Sequence, residues 1–294
     1  MDIWWRRSLL FIFVSLPVLG AVGFTLLRAE PFAPRPQFED TPAPSATAKA
    51  IPFPNSMAAI GDSITQAVNA SPDAFGGAPA LSWATGKSRD DVSSHYERLL
   101  ARHPRIEGRS YNLSISGARM SSAPAQARRA VARRVEYVTI LLGANDLCAW
   151  SRHGITSEAS FVRSFRRSLE ILTEGLPEAR IFVASIPNVA RLWDLFHDDP
   201  LVVAAWDYMG TCRAMLSSKA SERDRAFVAD RNLAFNEALS KVCAGFDRCR
   251  FDDYAVYDHP YTRDYVSIDF FHPSLVGQRQ LAEVTWRAGY WSNT

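Results

Sequence analysis

Three residues have the side-chain types that nucleophilic acyl transfer requires. Ser63 follows a short apolar run and a glycine, in Gly61-Asp-Ser-Ile-Thr65. Asp269 stands three residues before His272, in Asp-Phe-Phe-His. At that spacing the carboxylate can accept the Nδ1–H of the imidazole and leave Nε2 free to act as a base. Taken singly, each has a plainer interpretation, because Asp and Ser also cap helices and a lone histidine is more often structural.

Two further segments carry groups that could stabilise a developing negative charge. Gly117, in Ser116-Gly-Ala-Arg119, lets a backbone N–H approach a substrate oxygen closely. Asn145, in Gly143-Ala-Asn-Asp146, has an amide N–H that can be donated to an oxyanion. Either residue would serve equally well in a simple turn. The appearance of all four segments in one chain favours the catalytic interpretation.

Short apolar runs alternate with helical patterns along the chain, which predicts a parallel sheet covered on both faces. Strands are predicted at 56–60, 110–115, 137–142 and 180–186, with a weaker fifth at 253–257. Helices are predicted at 91–103, 123–134, 158–175, 224–243 and 274–289, and the stretch 189–222 is predicted to be a helical insertion. Because chemistry gathers at the carboxyl ends of such strands, three of the four segments stand where a site is expected.

The four segments resemble the blocks of the SGNH hydrolase superfamily, the GDSL esterases and lipases. Ser63, Gly117, Asn145 and His272 fall on the four positions that give the superfamily its name. The first block reads GDSI where the family often has GDSL, the third reads GAND, and the last reads DFFH. The resemblance covers roughly residues 56–290.

A looser likeness is to the phospholipase B-like branch of that superfamily. It rests on Leu81-Ser-Trp83, on Ala123-Pro-Ala-Gln-Ala127 and on Gly143-Ala-Asn-Asp-Leu-Cys148. The insertion at 189–222 is the part of the chain in which a difference from that branch is most expected.

The resemblance implies a flavodoxin-like three-layer α/β/α sandwich with a five-stranded parallel sheet in the order 2-1-3-4-5. It also implies a carboxylic ester hydrolase in which Ser63 attacks, His272 is the base and Asp269 orients it. The oxyanion would be held by the backbone N–H groups of Ser63 and Gly117 and by the amide of Asn145. No metal ion or organic cofactor is expected.

The substrate is expected to be a lipid or phospholipid ester. An acyltransferase or deacetylase acting on envelope glycans would use the same residues, and a non-catalytic anchored envelope protein is the alternative from another class. Asp62, Trp83 and Arg119 are further candidates for substrate contact. Trp83 and the aromatic residues of the insertion would form either an acyl-binding rim or part of the core: Trp193, Phe196, Trp206 and Tyr208.

The chain begins with a segment suited to a membrane. Residues 8–27 carry no charge and are long enough to cross a bilayer, and Arg6 and Arg7 precede them. Residues 1–28 are therefore predicted to anchor an exported domain, with a cleaved signal peptide as the alternative. A proline-rich linker is expected at 29–54 and one hydrolase domain at 55–294.

Composition narrows the remaining choices. Lys and Arg total 33 against 31 Asp and Glu, and a net charge of +2 makes a nucleic-acid binder unexpected. The four cysteines lack the CxxC spacing of zinc sites. The short spacing of Cys243 and Cys249 favours a local disulfide, which would leave Cys148 and Cys212 to pair, although four cysteines allow three pairings.

Overall fold

Five short parallel strands form the centre of the described chain. The structure is a computed structural model that describes residues 51–73, 75–87 and 91–292. The strands are β1 (Met57–Gly61), β2 (Ser110–Asn112), β3 (Tyr137–Leu141), β4 (Arg180–Val183) and β5 (Cys249–Phe251). They lie in the order β2-β1-β3-β4-β5, and each neighbouring pair is parallel. This order confirms the expected 2-1-3-4-5 arrangement.

β1 and β3 are paired at the heart of the sheet. All residues of both strands are buried, so the sheet is covered on both faces. The register aligns Met57 with Tyr137 at one end and Gly61 with Leu141 at the other. The two strands therefore end side by side, which brings the segments that carry Ser63 and Asn145 to the same edge of the sheet.

Helices make up the outer layers. In the described residues they are α1 (His95–Arg102), α2 (Ala123–Ala132), α3 (Ala144–Leu147), α4 (Glu158–Gly175), α5 (Ala190–Phe196), α6 (Pro200–Met209), α7 (Arg213–Leu216), α8 (Glu222–Cys243), α9 (Ala255–Asp258) and α10 (Leu275–Ala288). α4 packs against both α2 and α8. α1 joins α10 through His95, whose ring nitrogens lie 2.9 Å from Tyr137 Oη of β3 and 2.9 Å from Thr285 Oγ1. The result is the expected three-layer α/β/α fold.

Serine caps fix where four of the helices, α1, α4, α8 and α10, begin. Each cap hydroxyl accepts a hydrogen bond from the backbone N–H three residues later, which satisfies one of the free donors of the first turn. The caps are Ser94, Ser157, Ser221 and Ser274. The helix predicted at 158–175 has those bounds, whereas the one predicted at 91–103 begins only at His95 because Ser94 caps it.

The stretch 189–222 is a helical insertion, as predicted, and it contains α5, α6 and α7. Its buried aromatic residues pack on the loop that leads to His272. The indole N–H of Trp206 donates to the Phe270 carbonyl oxygen at 3.1 Å, and the Phe196 ring lies 5.7 Å from that of Phe270. The insertion therefore supports one side of the site.

The fifth strand was predicted in the wrong place. The strand is Cys249–Phe251, and the predicted segment 253–257 falls in a turn and in α9. The buried carboxylate of Asp252 accepts hydrogen bonds from the N–H groups of Tyr254 and Val256, which closes a turn where the pattern indicated extended chain. β5 is a three-residue edge strand with partly exposed side chains, so it has no apolar run to mark it.

Both expected disulfides are present. Cys148–Cys212 joins the segment after α3 to the start of α7, and Cys243–Cys249 joins the end of α8 to β5. Across the ranges that the structure describes, no helix combines the length and apolar character needed to cross a bilayer. The segment 1–28, predicted as anchor or signal peptide, lies outside those ranges, as does most of the linker.

Candidate active site

Ser63 lies just beyond the end of β1, where the chain turns tightly under Gly61. A Cβ atom on Gly61 would overlap the Thr65 side chain and stand 2.9 Å from the Leu141 carbonyl oxygen. The amide of Gln126, from α2, binds both backbone groups of Gly61, at 2.9 Å to its N–H and 3.0 Å to its carbonyl oxygen. Glycine is thus required by close packing, and the backbone before Ser63 is held in place.

Ser63, His272 and Asp269 form one chain of hydrogen bonds. Ser63 Oγ lies 2.9 Å from His272 Nε2, and His272 Nδ1 lies 2.6 Å from Asp269 Oδ2. The second oxygen of Asp269 accepts the backbone N–H groups of Phe271 at 3.0 Å and His272 at 2.9 Å. This arrangement favours the tautomer with the proton on Nδ1, so Nε2 can take the proton of Ser63.

Asn69 is a further partner of Asp269 that the sequence did not reveal. Its Nδ2 donates to Asp269 Oδ2 at 2.7 Å, and its backbone carbonyl accepts a short hydrogen bond from the Ser267 hydroxyl. Burial by itself would raise the pKa of Asp269. The hydrogen bond and charge of His272 and the amide of Asn69 outweigh it and lower that pKa to about 2. The carboxylate therefore stays ionised at any pH near neutrality.

Asn145 and Gly117 lie on two neighbouring loops. Asn145 stands at the start of α3, and its Nδ2 lies 3.1 Å from the Ala118 carbonyl oxygen and 3.4 Å from Asp62 Oδ2. Gly117 is exposed and has φ of +76°, a conformation that disfavours a side chain. In the described part of the chain, the N–H groups of Ser63 and Gly117 donate to no protein acceptor.

The three further candidates for substrate contact are placed differently from what was expected. Asp62 and Trp83 are fully buried, so neither has surface to offer a substrate. Asp62 Oδ1 accepts the Ile64 N–H at 2.9 Å, and the Trp83 indole N–H donates to Thr65 Oγ1 at 3.2 Å. Arg119 is exposed but does not line the cleft described below. The sequence pattern identifies these positions, but it does not distinguish a residue that supports the site from one that contacts a substrate.

Asp62 differs from Asp269 in its protonation. Burial raises the pKa of the Asp62 carboxyl to about 7, despite the hydrogen bond from the Ile64 N–H and the charge of His272. The nearby carboxyl of Asp146 adds to the increase. The pKa values of two aspartates near the same serine thus shift in opposite directions, because burial dominates at Asp62 and hydrogen bonds and charge dominate at Asp269.

An open cleft leads to Ser63, with an empty volume of about 590 Å³ that includes its mouth. We call Ser63, Asn145, Asp269 and His272 the polar floor. We call residues 187–192, which lead into α5, together with Tyr261, Tyr265 and Val266, the cleft wall. Three residues of the polar floor, Ser63, Asn145 and His272, line the cleft directly. The other lining residues are mainly apolar and include Ile64, Val189, Leu192, Val266, Phe271 and Pro273.

The aromatic residues of the insertion, for which an acyl rim and the core were the two alternatives, do not line the cleft. Phe196 and Trp206 are buried in the core, which confirms the plainer interpretation for those two. Trp193 is half-buried beneath the Arg225 guanidinium, 3.5 Å from its ring centroid. Tyr208 is 92% exposed on the far side of α6 from Trp206. The insertion contributes to the cleft through the start of α5 instead.

The fold and the four segments can now be compared with known proteins. The model of the GDSL-like lipase/acylhydrolase family matches residues 59–280. The chain belongs to the GDSL-like lipase/acylhydrolase family. The match spans β1 to α10 and so includes every residue of the polar floor. The family resemblance drawn from the four blocks is confirmed.

Among curated proteins, this family member is similar to the human membrane-associated phospholipase B1. The two are 25% identical over 272 residues, covering 78% of this chain and 18% of the human protein. The chain therefore spans less than a fifth of the length of that relative. The similarity agrees with the phospholipase B-like branch suggested by the sequence.

Two solved structures share the fold of this GDSL-like chain. The lipase Lip_vut3 from a goat rumen metagenome is 18% identical, with a TM-score of 0.52, over 80% of this chain and 97% of its own. TesA is 17% identical, with a TM-score of 0.50, over 79% of this chain and 97% of its own. At this level of identity the likeness establishes the architecture.

Proposed function

We propose that this GDSL-family chain is a serine hydrolase that cleaves carboxylic esters. The observation that carries the proposal is the continuous hydrogen-bond chain from Ser63 through His272 to Asp269, with Ser63 opening into the cleft. Family membership supports ester chemistry, and the geometry supports this particular set of residues.

The reaction would proceed in two acyl-transfer steps. His272 Nε2 takes the Ser63 proton as Oγ attacks the ester carbonyl, and the ionised Asp269 stabilises the imidazolium that forms. The oxyanion accepts hydrogen bonds from the N–H groups of Ser63 and Gly117 and from the amide of Asn145. His272 then gives the proton to the leaving alcohol. In the second step His272 Nε2 takes a proton from the water that attacks the acyl-serine, and returns it to Ser63 Oγ as the acyl–Oγ bond breaks and the carboxylic acid leaves.

A lipid or phospholipid ester is the substrate class that we propose. The cleft is lined mainly by apolar side chains, among them Val189, Leu192 and Phe271, which would accept an acyl chain. The similarity to phospholipase B1 supports the same class. Transfer of the acyl group to an alcohol instead of water is the second candidate, because it uses the same residues.

Hydrolysis of p-nitrophenyl esters from acetyl to palmitoyl by the full-length chain in detergent tests the proposal. We expect turnover to rise with chain length beyond acetyl, and Ser63→Ala to lower kcat by at least about 10³-fold. Ser93→Ala is the matched control, since Ser93 is exposed and lies outside the cleft. Turnover by Ser63→Ala close to that of Ser93→Ala would contradict the proposal. Activity confined to the acetyl ester would overturn the lipid assignment alone.

A further inference from the structure

Arg191 brings a positive charge to a cleft that is otherwise mainly apolar. It is the second residue of α5 and lines the same cleft as Ser63 and His272. Its Nε is buried and has no hydrogen-bond partner. Among the residues that the structure describes, no carboxylate lies within ion-pair distance of its guanidinium, and Asp194, one turn later on α5, is exposed.

Other partly buried arginines of the chain have partners. Arg98 pairs with Glu283 at 2.6 Å. Arg225 donates to the carbonyl oxygens of Met215 at 3.0 Å, Ala220 at 2.6 Å and Ser217 at 2.8 Å. A guanidinium N–H that is buried without such a partner costs free energy. Arg191 is therefore a charged donor whose acceptor is not supplied by the described fold.

The groups beside Arg191 do not neutralise it. Burial lowers the pKa of His259, and the charge of Arg191 lowers it further, so that imidazole is uncharged near neutral pH. Burial raises the pKa of Tyr261 against the opposing charge of Arg191, so the phenol stays protonated. The ring of His259 stacks on Tyr265 at 5.7 Å, and its Nε2 is also buried without a partner. The rings of His259 and Tyr261 thus carry no negative charge to oppose that of Arg191.

We propose that Arg191 binds an anionic group carried by the ester substrate, a phosphate or a carboxylate. A guanidinium presents a planar fork of donors that matches two oxygens of such a group. Because Arg191 and Ser63 line one cleft, one substrate molecule can place its anionic group on the former and its ester on the latter. This inference rests on the proposed ester hydrolase function and narrows its substrates to anionic esters.

A pair of esters that differ only in charge tests the inference in the full-length protein. The substrates are 1-octanoyl-glycerol-3-phosphate and 1-octanoyl-glycerol, each assayed below its aggregation concentration. We expect wild-type kcat/KM to favour the phosphate, and Arg191→Gln to lower the ratio of the two kcat/KM values by about 10- to 100-fold. Arg167→Gln is the matched control, because Arg167 is exposed on α4 and does not line the cleft.

A second pair identifies the source of the anion. The octanoyl ester of 3-hydroxybutyrate and that of its methyl ester carry a carboxylate and no charge, respectively. If Arg191→Gln lowers the anionic preference only in the first pair, the group is phosphate, and if only in the second, it is carboxylate. An equal ratio in wild type, Arg191→Gln and Arg167→Gln for both pairs would overturn the inference.

A binding measurement separates this inference from the hydrolase proposal. Calorimetric titration of octyl phosphate needs no turnover, and we expect its Kd to rise at least about 10-fold in Arg191→Gln and to stay at the wild-type value in Arg167→Gln. If neither octanoyl ester is hydrolysed but octyl phosphate binding depends on Arg191, the hydrolase proposal fails and the anion site stands. Equal binding by wild type and Arg191→Gln removes the anion site whatever the hydrolysis assays give.

Discussion

On the polar floor, every side chain is held by partners from distant parts of the chain. His272 lies between Ser63 and Asp269, and Asp269 is held in turn by Asn69. On the cleft wall, Leu192 and Val266 offer apolar surface, and the Nε of Arg191 has no partner. The floor is therefore organised before a substrate arrives, whereas the wall leaves its contacts for the substrate to complete.

This difference predicts different kinetic effects for the two regions. Floor residues that act on the transition state should alter kcat, because their interactions strengthen as charge develops. Wall residues that contact parts of the substrate remote from the ester should alter KM and the choice among substrates. Variants in each region test this difference.

Asp269→Asn should have the largest effect. The amide cannot stabilise the imidazolium and favours the wrong tautomer of His272, so kcat should fall by about 10³- to 10⁴-fold with little change in KM. Single-turnover assays with the p-nitrophenyl octanoate ester measure it. The control is Asp264→Asn, an exposed carboxyl five residues earlier, which should behave as wild type. A loss shared equally by both variants would place the effect in the fold of the loop.

Asn145→Ala removes one side-chain donor from the floor. We expect kcat to fall by about 10²- to 10³-fold, because the developing oxyanion loses a hydrogen bond that the ground state scarcely uses. Asn55→Ala is a matched control, since Asn55 precedes β1 at the opposite end of the sheet and binds Glu136. A change in KM without a change in kcat would mean that Asn145 contributes to substrate binding, as wall residues do, and not to stabilising the oxyanion.

The residues of the site differ in how far the sequence alone could predict them. Ser63, Gly117, Asn145, Asp269 and His272 lie in short local segments, so their spacing is visible in one chain. Gln126, Asn69 and Arg191 act through tertiary contacts: Gln126 lies 65 residues from Gly61, and Asn69 lies 200 residues from Asp269. No local spacing marks such pairs.

The same reasoning explains the misplaced fifth strand and the burial of two of the candidate contacts. The central strands β1 and β3 are buried on both faces and have continuous apolar runs, so they were predicted. β5 is at the sheet edge, and the turn that follows it is closed by hydrogen bonds to the buried carboxylate of Asp252. The side chains of Asp62 and Trp83 are of kinds that can contact a substrate. Their burial follows from tertiary packing, which the sequence does not show.

Asp62→Asn tests how the floor is supported. The folded-state pKa of Asp62 is raised to about 7 from 3.8, so its contribution to stability is fully present below about pH 4 and is lost as the pH rises through 7. The asparagine carries no such cost. We therefore expect the free energy of unfolding of the variant, relative to wild type, to increase by about 2–3 kcal/mol between pH 5 and 8. Urea unfolding across that range measures it, and a constant difference would show that Asp62 does not titrate there.

Leu192→Ala should have the smallest effect, and it tests whether the cleft wall binds the acyl chain. Leu192 is 8% exposed and lines the cleft from α5. Removing its side chain takes away apolar surface that a long acyl chain would cover and an acetyl group would not reach. For the octanoyl ester we expect kcat/KM to fall about 3- to 10-fold, through KM, with the acetyl ester scarcely affected.

The matched control for that variant is Leu201→Ala, because Leu201 is 81% exposed on α6 and does not line the cleft. A fall of equal size for both esters in Leu192→Ala would mean that the wall supports Ser63 and its neighbours structurally, and the separation of floor from wall would fail. A fall confined to the octanoyl ester, with kcat retained, would make α5 the part of the insertion that selects the acyl chain. Arg191, the preceding residue of the same helix, would then select the charge carried by the same substrate.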